Sequence, residues 1–160
     1  MRSKWNGKVE QKGEFWELSL RDKKGVLREK ICFEDKKLEV RKGPYAFYEN
    51  GIVKEEGNYE KGYRNGIWKS YHEKGQLSER VNYWYGKLAG PYTSFWENGK
   101  PKAQGKYSNN NKVGSWEIYY SDAKLALREI FGEDGKLTDQ TYFDKEGNPI
   151  IDKSIIPSIQ

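Results

Sequence analysis

Few side chains in this 160-residue sequence could do acid–base or metal chemistry. There is one histidine, His72, and one cysteine, Cys32. Together they cannot supply the four nitrogen and sulfur ligands of a structural zinc site, and carboxylates alone would suit only hard cations. The sequence therefore predicts no catalytic residue, no metal site and no cofactor.

Three glutamates recur at a constant spacing of 24 residues, at Glu49, Glu73 and Glu97. A catalytic acid–base pair needs two carboxylates in one place, whereas a regular series is typical of the solvated edge of a repeated structure. The Gly86-Lys87 and Gly99-Lys100 pairs precede no helix, so neither belongs to a phosphate-binding loop. We therefore expect that the protein is not an enzyme.

The glutamates belong to a longer repeat that is marked by turn residues. Asn-Gly between two alternating segments is a strong signal for a two-residue β-hairpin turn, because both central residues need a positive φ. A fixed period of this length indicates a repeat architecture. Successive turns lie 24 residues apart, at Asn50-Gly51, Lys74-Gly75, Asn98-Gly99, Asp122-Ala123 and Glu146-Gly147.

A two-residue turn at Asn50-Gly51 would pair Glu49 with Ile52, Tyr48 with Val53 and Phe47 with Lys54. Because side chains alternate along a strand, this register sorts the repeat into two faces. The predicted core face carries Trp68, Tyr92 and Trp116 together with Tyr48, His72, Trp96 and Tyr120. The opposite face carries one ring per unit beside charged residues, and we call this series, Phe47, Tyr71, Phe95, Tyr119 and Phe143, the ladder.

The ladder is one candidate contact surface, although rings on adjacent strands also stabilise a sheet by themselves. The loops that join successive hairpins are a second candidate, near Tyr63-Arg64-Asn65, Trp84-Tyr85 and Asn109-Asn110-Asn111. The side chains that we assign to partner binding are Phe47, Tyr71, Phe95, Tyr119, Arg80, Arg128, Trp84 and Tyr85.

The composition limits the setting in which the protein works. A net charge of +5 arises from 29 basic and 24 acidic residues, which is a mixed surface and not the basic stripe of a nucleic-acid binder. A single cysteine favours a reducing compartment, and neither a long apolar segment nor a leader is visible. These features predict a cytoplasmic protein. Residues 1–150 form one predicted repeat domain of about six hairpin units, the first (16–33) divergent, and residues 151–160 form a tail over the last sheet edge.

The segment Gly66–Leu77 has the pattern G-x-W-x-x-Y-x-x-x-G-x-L and resembles the variant MORN repeat of bacterial YwqK-type antitoxins. The pattern recurs at Gly90–Lys100 and Gly114–Leu125, so the resemblance covers about residues 40–150. It departs from the family at Ala123, where the turn glycine is missing, and at Glu129 and Gln140. The resemblance implies an antitoxin or immunity protein, while eukaryotic MORN proteins are associated with membranes, lipids and scaffolding.

The expected fold is therefore all-β, a single-layer stack of antiparallel β-hairpins in an elongated, twisted sheet. The expected function is a non-enzymatic, protein-binding repeat module, most specifically an antitoxin that neutralises a toxin domain. The alternative is a scaffold for a membrane surface or an anionic ligand, because lysine and aromatic residues interleave over 83–87. Single-stranded nucleic acid stacked on the ladder is disfavoured, since Glu49, Glu73 and Glu97 share that face.

Overall fold

A computed structural model describes residues 5–151, 156, 158 and 159 of the chain. All regular structure in these residues is β-strand, and no helix among them could cross a membrane. The strands are β1 (Asn6–Lys12), β2 (Phe15–Arg21), β3 (Leu27–Phe33), β4 (Arg41–Glu49), β5 (Ile52–Glu60), β6 (Tyr63–Tyr71), β7 (Leu77–Trp84), β8 (Lys87–Phe95), β9 (Pro101–Ser108), β10 (Asn111–Tyr119), β11 (Leu125–Phe131) and β12 (Leu137–Tyr142).

The strands form one antiparallel sheet in which every hydrogen-bonded neighbour is also the neighbour along the chain. This order confirms the predicted all-β fold of successive hairpins. The chain divides into two compact units, Met1–Gln76 with Tyr83–Gly86 and Leu77–Asn82 with Lys87–Gln160. We describe them separately as the first and the second unit, and a single domain over 1–150 stays a prediction.

The end of the described sheet is closed locally after β12. Phe143 pairs with Pro149 across the last turn, and the Ile150 amide donates to the Tyr142 carbonyl at 2.8 Å. Residues 152–155, 157 and 160 of the predicted tail lie outside the described residues, so its role as an edge cover stays a prediction.

The turns are of two kinds. Asn50 and Gly51 both have positive φ, 51° and 78°, which confirms the predicted two-residue turn there. The later turns of the 24-residue series, from Lys74-Gly75 onward, are three-residue loops: the Gly75 amide donates to the His72 carbonyl at 2.9 Å, and within that loop only Gly75 has positive φ. Ala123 adopts a φ of 75° in a loop of this second kind.

This difference between the turns changes the face to which Phe47 belongs. The Asn50-Gly51 turn is one residue shorter, and a bulge makes Phe47 pair with Glu55 instead of Lys54. Phe47 therefore lies on the same face as Tyr45, while Tyr48 lies on the opposite face. The assignment of Phe47 to the ladder and of Tyr48 to the core was wrong, because we counted from the turn glycine and not from the aromatic residue that begins each repeat.

The core face of each unit is an array of packed rings. In the first unit Trp68 is buried, with its ring centroid 5.3 Å from Tyr45 and 5.1 Å from Tyr59. In the second unit Trp116 is 2% exposed and stands in the same way to Tyr92 and Tyr107, at 5.2 and 4.9 Å. Perpendicular and tilted rings at these distances are favourable beyond the apolar area that they bury.

Gly105 provides the space for one of these rings. A Cβ on Gly105 would lie 2.2 Å from Trp116, a residue of the following strand. Tyr92 pairs with Gly105 across the hairpin and tilts against Trp116. The glycine therefore lets the indole approach the backbone of the sheet.

Candidate partner-binding surfaces

The outer face of the first unit, opposite its ring array, contains an open groove of about 530 Å³. Pro44, Ala46 and Ile67 contribute apolar surface to the groove, beside Tyr48. Ile67 is 52% exposed although it is a large aliphatic residue. An exposed apolar floor of this kind is typical of a surface that another molecule covers.

Ion pairs border the groove. Lys69 lies 3.5 Å from Glu56, and Lys30 lies 3.7 Å from Glu17. The Tyr71 hydroxyl donates a hydrogen bond to Glu56 at 2.6 Å. Burial, and secondly this bond to a carboxylate, raise the pKa of Tyr71 to about 12. The border is thus polar, with its charges already paired.

The second unit has a groove of about 430 Å³ at the equivalent position, 47 or 48 residues further along the chain. Two apolar side chains of the first groove are replaced there, because Thr93 stands in place of Ala46 and Ser115 in place of Ile67. The fold therefore provides a groove in each unit, and only the first one carries these two apolar side chains.

Tyr119 lies in a hydrogen-bonded group on the outer face of the second unit. Its hydroxyl donates to Glu117 at 2.6 Å and accepts from Gln104. Arg128 also contacts Glu117, at 3.1 Å. The bonds from Tyr119 and then Gln104 lower the pKa of Glu117, while burial and the Glu117 bond raise the pKa of Tyr119 to about 12.

Phe95 and Arg80 are the other predicted partner-binding residues of this face. Phe95 is partly exposed and pairs with Pro101, and Arg80 is exposed. The ladder as the structure has it consists of Tyr48 and Tyr71 in the first unit and Phe95, Tyr119 and Phe143 in the second, where the Arg128 guanidinium lies 5.8 Å from the centre of the Phe143 ring. The sequence held the signal for Tyr48, because the first four of these rings stand three positions after the aromatic residue that begins their repeat.

A third surface lies at the hairpin loops of the first unit. Trp84 is 66% exposed, Tyr63 57% and Tyr85 37%. The rings of Trp84 and Tyr85 are perpendicular, with centroids 5.1 Å apart. We call these three residues the loop cluster. Trp84 and Tyr85 were predicted to bind a partner, and the ring of Tyr63 adds to the same surface.

The structural repeats of the chain begin at Tyr45, Trp68 and Tyr92. Three consecutive segments match the MORN repeat variant. They are residues 45–61, 64–85 and 88–109. The matched segments begin at the first residue of a structural repeat or four residues before it. The antitoxin family that the sequence resembles is a finer assignment, and we treat it below as a proposal.

No curated protein matches the chain in sequence. Among solved structures, a mutant of S. aureus TarM in complex with Fondaparinux, alpha-GlcNAc-glycerol and UDP is similar at 11% identity and a TM-score of 0.43. A second TarM crystal structure is similar at 10% identity and a TM-score of 0.42. Each comparison covers 68% of this chain and 21% of the other, so this chain spans about a fifth of those proteins.

Within the described part of the chain, no group of three or more His, Cys, Asp or Glu residues is placed to hold a metal ion. Cys32 is a free, buried thiol. Burial raises the pKa of the Cys32 thiol, so the unreactive protonated form is favoured.

Proposed function

We propose that this MORN-repeat protein is a non-enzymatic module that binds another protein through the outer face of its sheet. In a repeat protein the residues that hold the fold recur in every unit, and the residues that bind a partner are free to differ. The contrast between the two faces supports the proposal.

One position of the inner face keeps its chemistry in every repeat, whereas the outer-face position beside it does not. The residues that begin successive repeats on the inner face are all aromatic: Tyr45, Trp68, Tyr92 and Trp116. The residues immediately before them, on the outer face, differ in size and polarity: Pro44, Ile67, Pro91 and Ser115. This difference, with Ile67 exposed in the first unit, is the observation that carries the proposal.

The groove of the first unit suits an apolar side chain of a partner, held between polar neighbours. Ile67 and Ala46 offer the apolar contact, and the Lys69–Glu56 and Lys30–Glu17 pairs offer a polar rim. An apolar centre surrounded by polar residues is the usual composition of a protein–protein interface.

A matched pair of substitutions tests this surface. Ile67→Asp would place a charge in the apolar groove, and Ser115→Asp would place the same charge in the groove of the second unit. Both positions are exposed, so neither change should lower the melting temperature by more than a few degrees.

The binding measurement uses the purified protein that the wild-type chain captures from its host. Ile67→Asp should weaken its Kd at least about tenfold, and Ser115→Asp less than about threefold. Equal effects of the two changes, or no effect, would show that the groove of the first unit is not the contact surface. Failure to capture any specific protein would contradict the binding function itself.

We further propose that the bound protein is a toxin domain, which the MORN repeats neutralise. The resemblance to YwqK-type antitoxins supports this finer proposal. The test is to express the captured partner alone and with this chain: growth should stop in the first case and recover in the second. A partner that is harmless when expressed alone would refute the antitoxin role and leave the binding function standing.

A membrane-surface or anionic-ligand scaffold is the second candidate. The observation that favours it is the exposure of Trp84 and Tyr63, since such rings also suit a membrane interface. Flotation with anionic vesicles at low salt tests it, because electrostatic attraction to the lipid is strongest there. Absence of the protein from the floating fraction would remove this candidate.

A further inference from the structure

The loop cluster has no counterpart at the equivalent turns of the other repeats. The turn Trp84-Tyr85-Gly86 corresponds to Glu60-Lys61-Gly62 and to Ser108-Asn109-Asn110. All three are two-residue turns in which both central residues have positive φ. Glu60-Lys61 and Ser108-Asn109 occupy the positions of Trp84-Tyr85 in the other two turns. The turn therefore forms without aromatic residues, and the fold does not require them at 84 and 85.

The backbone at Tyr85 is strained. Its φ is 43°, a left-handed conformation that is rare for bulky residues and common for asparagine. The equivalent turn holds asparagine, Asn109, at a φ of 48°. Strained residues that persist in a structure are concentrated at functional sites.

The loop cluster is held in place by its surroundings. The Gly86 amide donates to the Arg64 carbonyl at 2.8 Å, and the Tyr85 amide donates to Asn65 Oδ1 at 3.2 Å. A Cβ on Gly86 would lie 3.1 Å from the Tyr63 ring, so the ring packs against Gly86 where a larger residue would crowd it. Exposed rings that are fixed before binding lose little conformational freedom when a partner covers them.

The charges beside the loop cluster are of both signs. Glu60 and Lys61 precede Tyr63, Lys87 follows Gly86, and the Lys61 ammonium lies 5.9 Å from the centre of the Tyr85 ring. A uniformly anionic surface, such as a lipid bilayer or a nucleic acid, would be attracted by Lys61 and Lys87 and repelled by Glu60. A protein surface can match both charges at the rim of an apolar pocket.

We infer that the loop cluster is the anchor by which this protein binds a folded protein partner, with Trp84 inserted into an apolar pocket whose rim carries charges of both signs. This inference rests on the proposed function and adds a second contact surface to the outer-face groove. Trp and Tyr are the residues most enriched among those that dominate binding energy.

The test replaces the rings by the residues of the equivalent turn, in the variant Trp84→Ser/Tyr85→Asn. The control is Asn109→Lys, because the turn at 61 already accommodates lysine. Removal of the strain at 85 should leave the double variant folded and raise its melting temperature by about 2 °C or more. Its Kd for the purified partner should weaken at least about 30-fold, while the control should change it less than about threefold.

Comparison with Ile67→Asp separates the two surfaces. If Ile67→Asp weakens binding and Trp84→Ser/Tyr85→Asn does not, the loop cluster is not an anchor and the proposed function stands. If neither variant changes the Kd, then neither the groove nor the loop cluster contacts the partner. The single variant Trp84→Ala keeps the test decisive should the double variant fold poorly, since it leaves Tyr85 unchanged. Binding of the wild type, and not of the double variant, to phosphatidylcholine–phosphatidylglycerol vesicles would overturn the assignment to a protein partner.

Discussion

The indole of Trp68 lies against the backbone of Gly57: a Cβ on Gly57 would stand 2.3 Å from the ring. Gly57 pairs with Tyr45 across the hairpin, and the Trp68 Nε1 donates to the neighbouring Asn58 carbonyl at 3.2 Å. The indole is thus held by the hydrogen bond and by the absence of a side chain beneath it. The position of this ring determines how tightly the inner face of the first unit packs.

Gly57→Ala should therefore destabilise the protein by about 3 kcal/mol, because the added methyl group would overlap the indole. Denaturant unfolding with tryptophan fluorescence gives the change in free energy. Gly7→Ala on β1 is the control: its nearest neighbours are the flexible ends of Leu18 and Leu20, so its cost should be under about 1 kcal/mol. Equal costs at the two positions would contradict the close packing of Trp68 over Gly57.

Trp116→Ala should cost about 3–5 kcal/mol, since the ring is 2% exposed and packs between Tyr92 and Tyr107. Trp84→Ala is the matched control, as the same side chain is lost from a position that is 66% exposed. Thermal unfolding of both variants makes the comparison. A loss under about 1 kcal/mol for Trp116→Ala would mean that the inner face has been assigned wrongly.

Ala123→Gly should stabilise the protein by about 1 kcal/mol. Ala123 has a φ of 75°, where the equivalent loop positions carry glycine, and glycine adopts this conformation without the steric cost of a Cβ. The control is Ala103→Gly in the extended strand β9, which should destabilise by about 0.5–1 kcal/mol. Should both changes destabilise to the same extent, the left-handed backbone at Ala123 would be contradicted.

Stability should fall between about pH 10 and pH 12. The pKa values of Tyr71, Tyr92 and Tyr119 are raised from 10.0 to about 12 in the folded protein, first by burial and then by hydrogen bonds to carboxylates. The folded state thus favours the neutral phenol, so this stabilisation is present below pH 10 and is lost as the pH rises toward 12.

Chemical denaturation at several alkaline pH values measures this decline. In the variant Tyr71→Phe/Tyr119→Phe two of the three groups cannot ionise, so stability should fall less steeply over the same interval. A double variant with an unchanged slope would show that these two phenols do not titrate as described.

The turn signals of the sequence predicted the fold well, because a positive-φ residue every 24 positions leaves few alternatives to successive hairpins. The faces of Phe47 and Tyr48 were predicted wrongly, since one loop is a residue shorter than the others and a one-residue shift inverts the face of a side chain; counting from the aromatic residue that begins each repeat would have placed them correctly. The apolar groove was missed for another reason: Pro44 and Ala46 come from β4 and Ile67 from β6, and the three have no shared sequence pattern.

The loop cluster was predictable in part. Trp84-Tyr85 stands out in a sequence whose other turns are polar, but Tyr63 lies 21 residues earlier and its proximity follows only from the pairing of the loops. The strain at Tyr85 could not be recognised from the sequence, because it depends on a backbone conformation that the equivalent turns share.

The pairing of each strand with its neighbours along the chain has a genetic consequence. Because each repeat is one complete pair of antiparallel strands with its turns, duplication or deletion of one repeat returns the following strands to the same pairing and the same faces. Unequal recombination within the gene could thus lengthen or shorten the protein without redesign of its packing. New binding chemistry could then arise in the added copy while the original copy keeps its own.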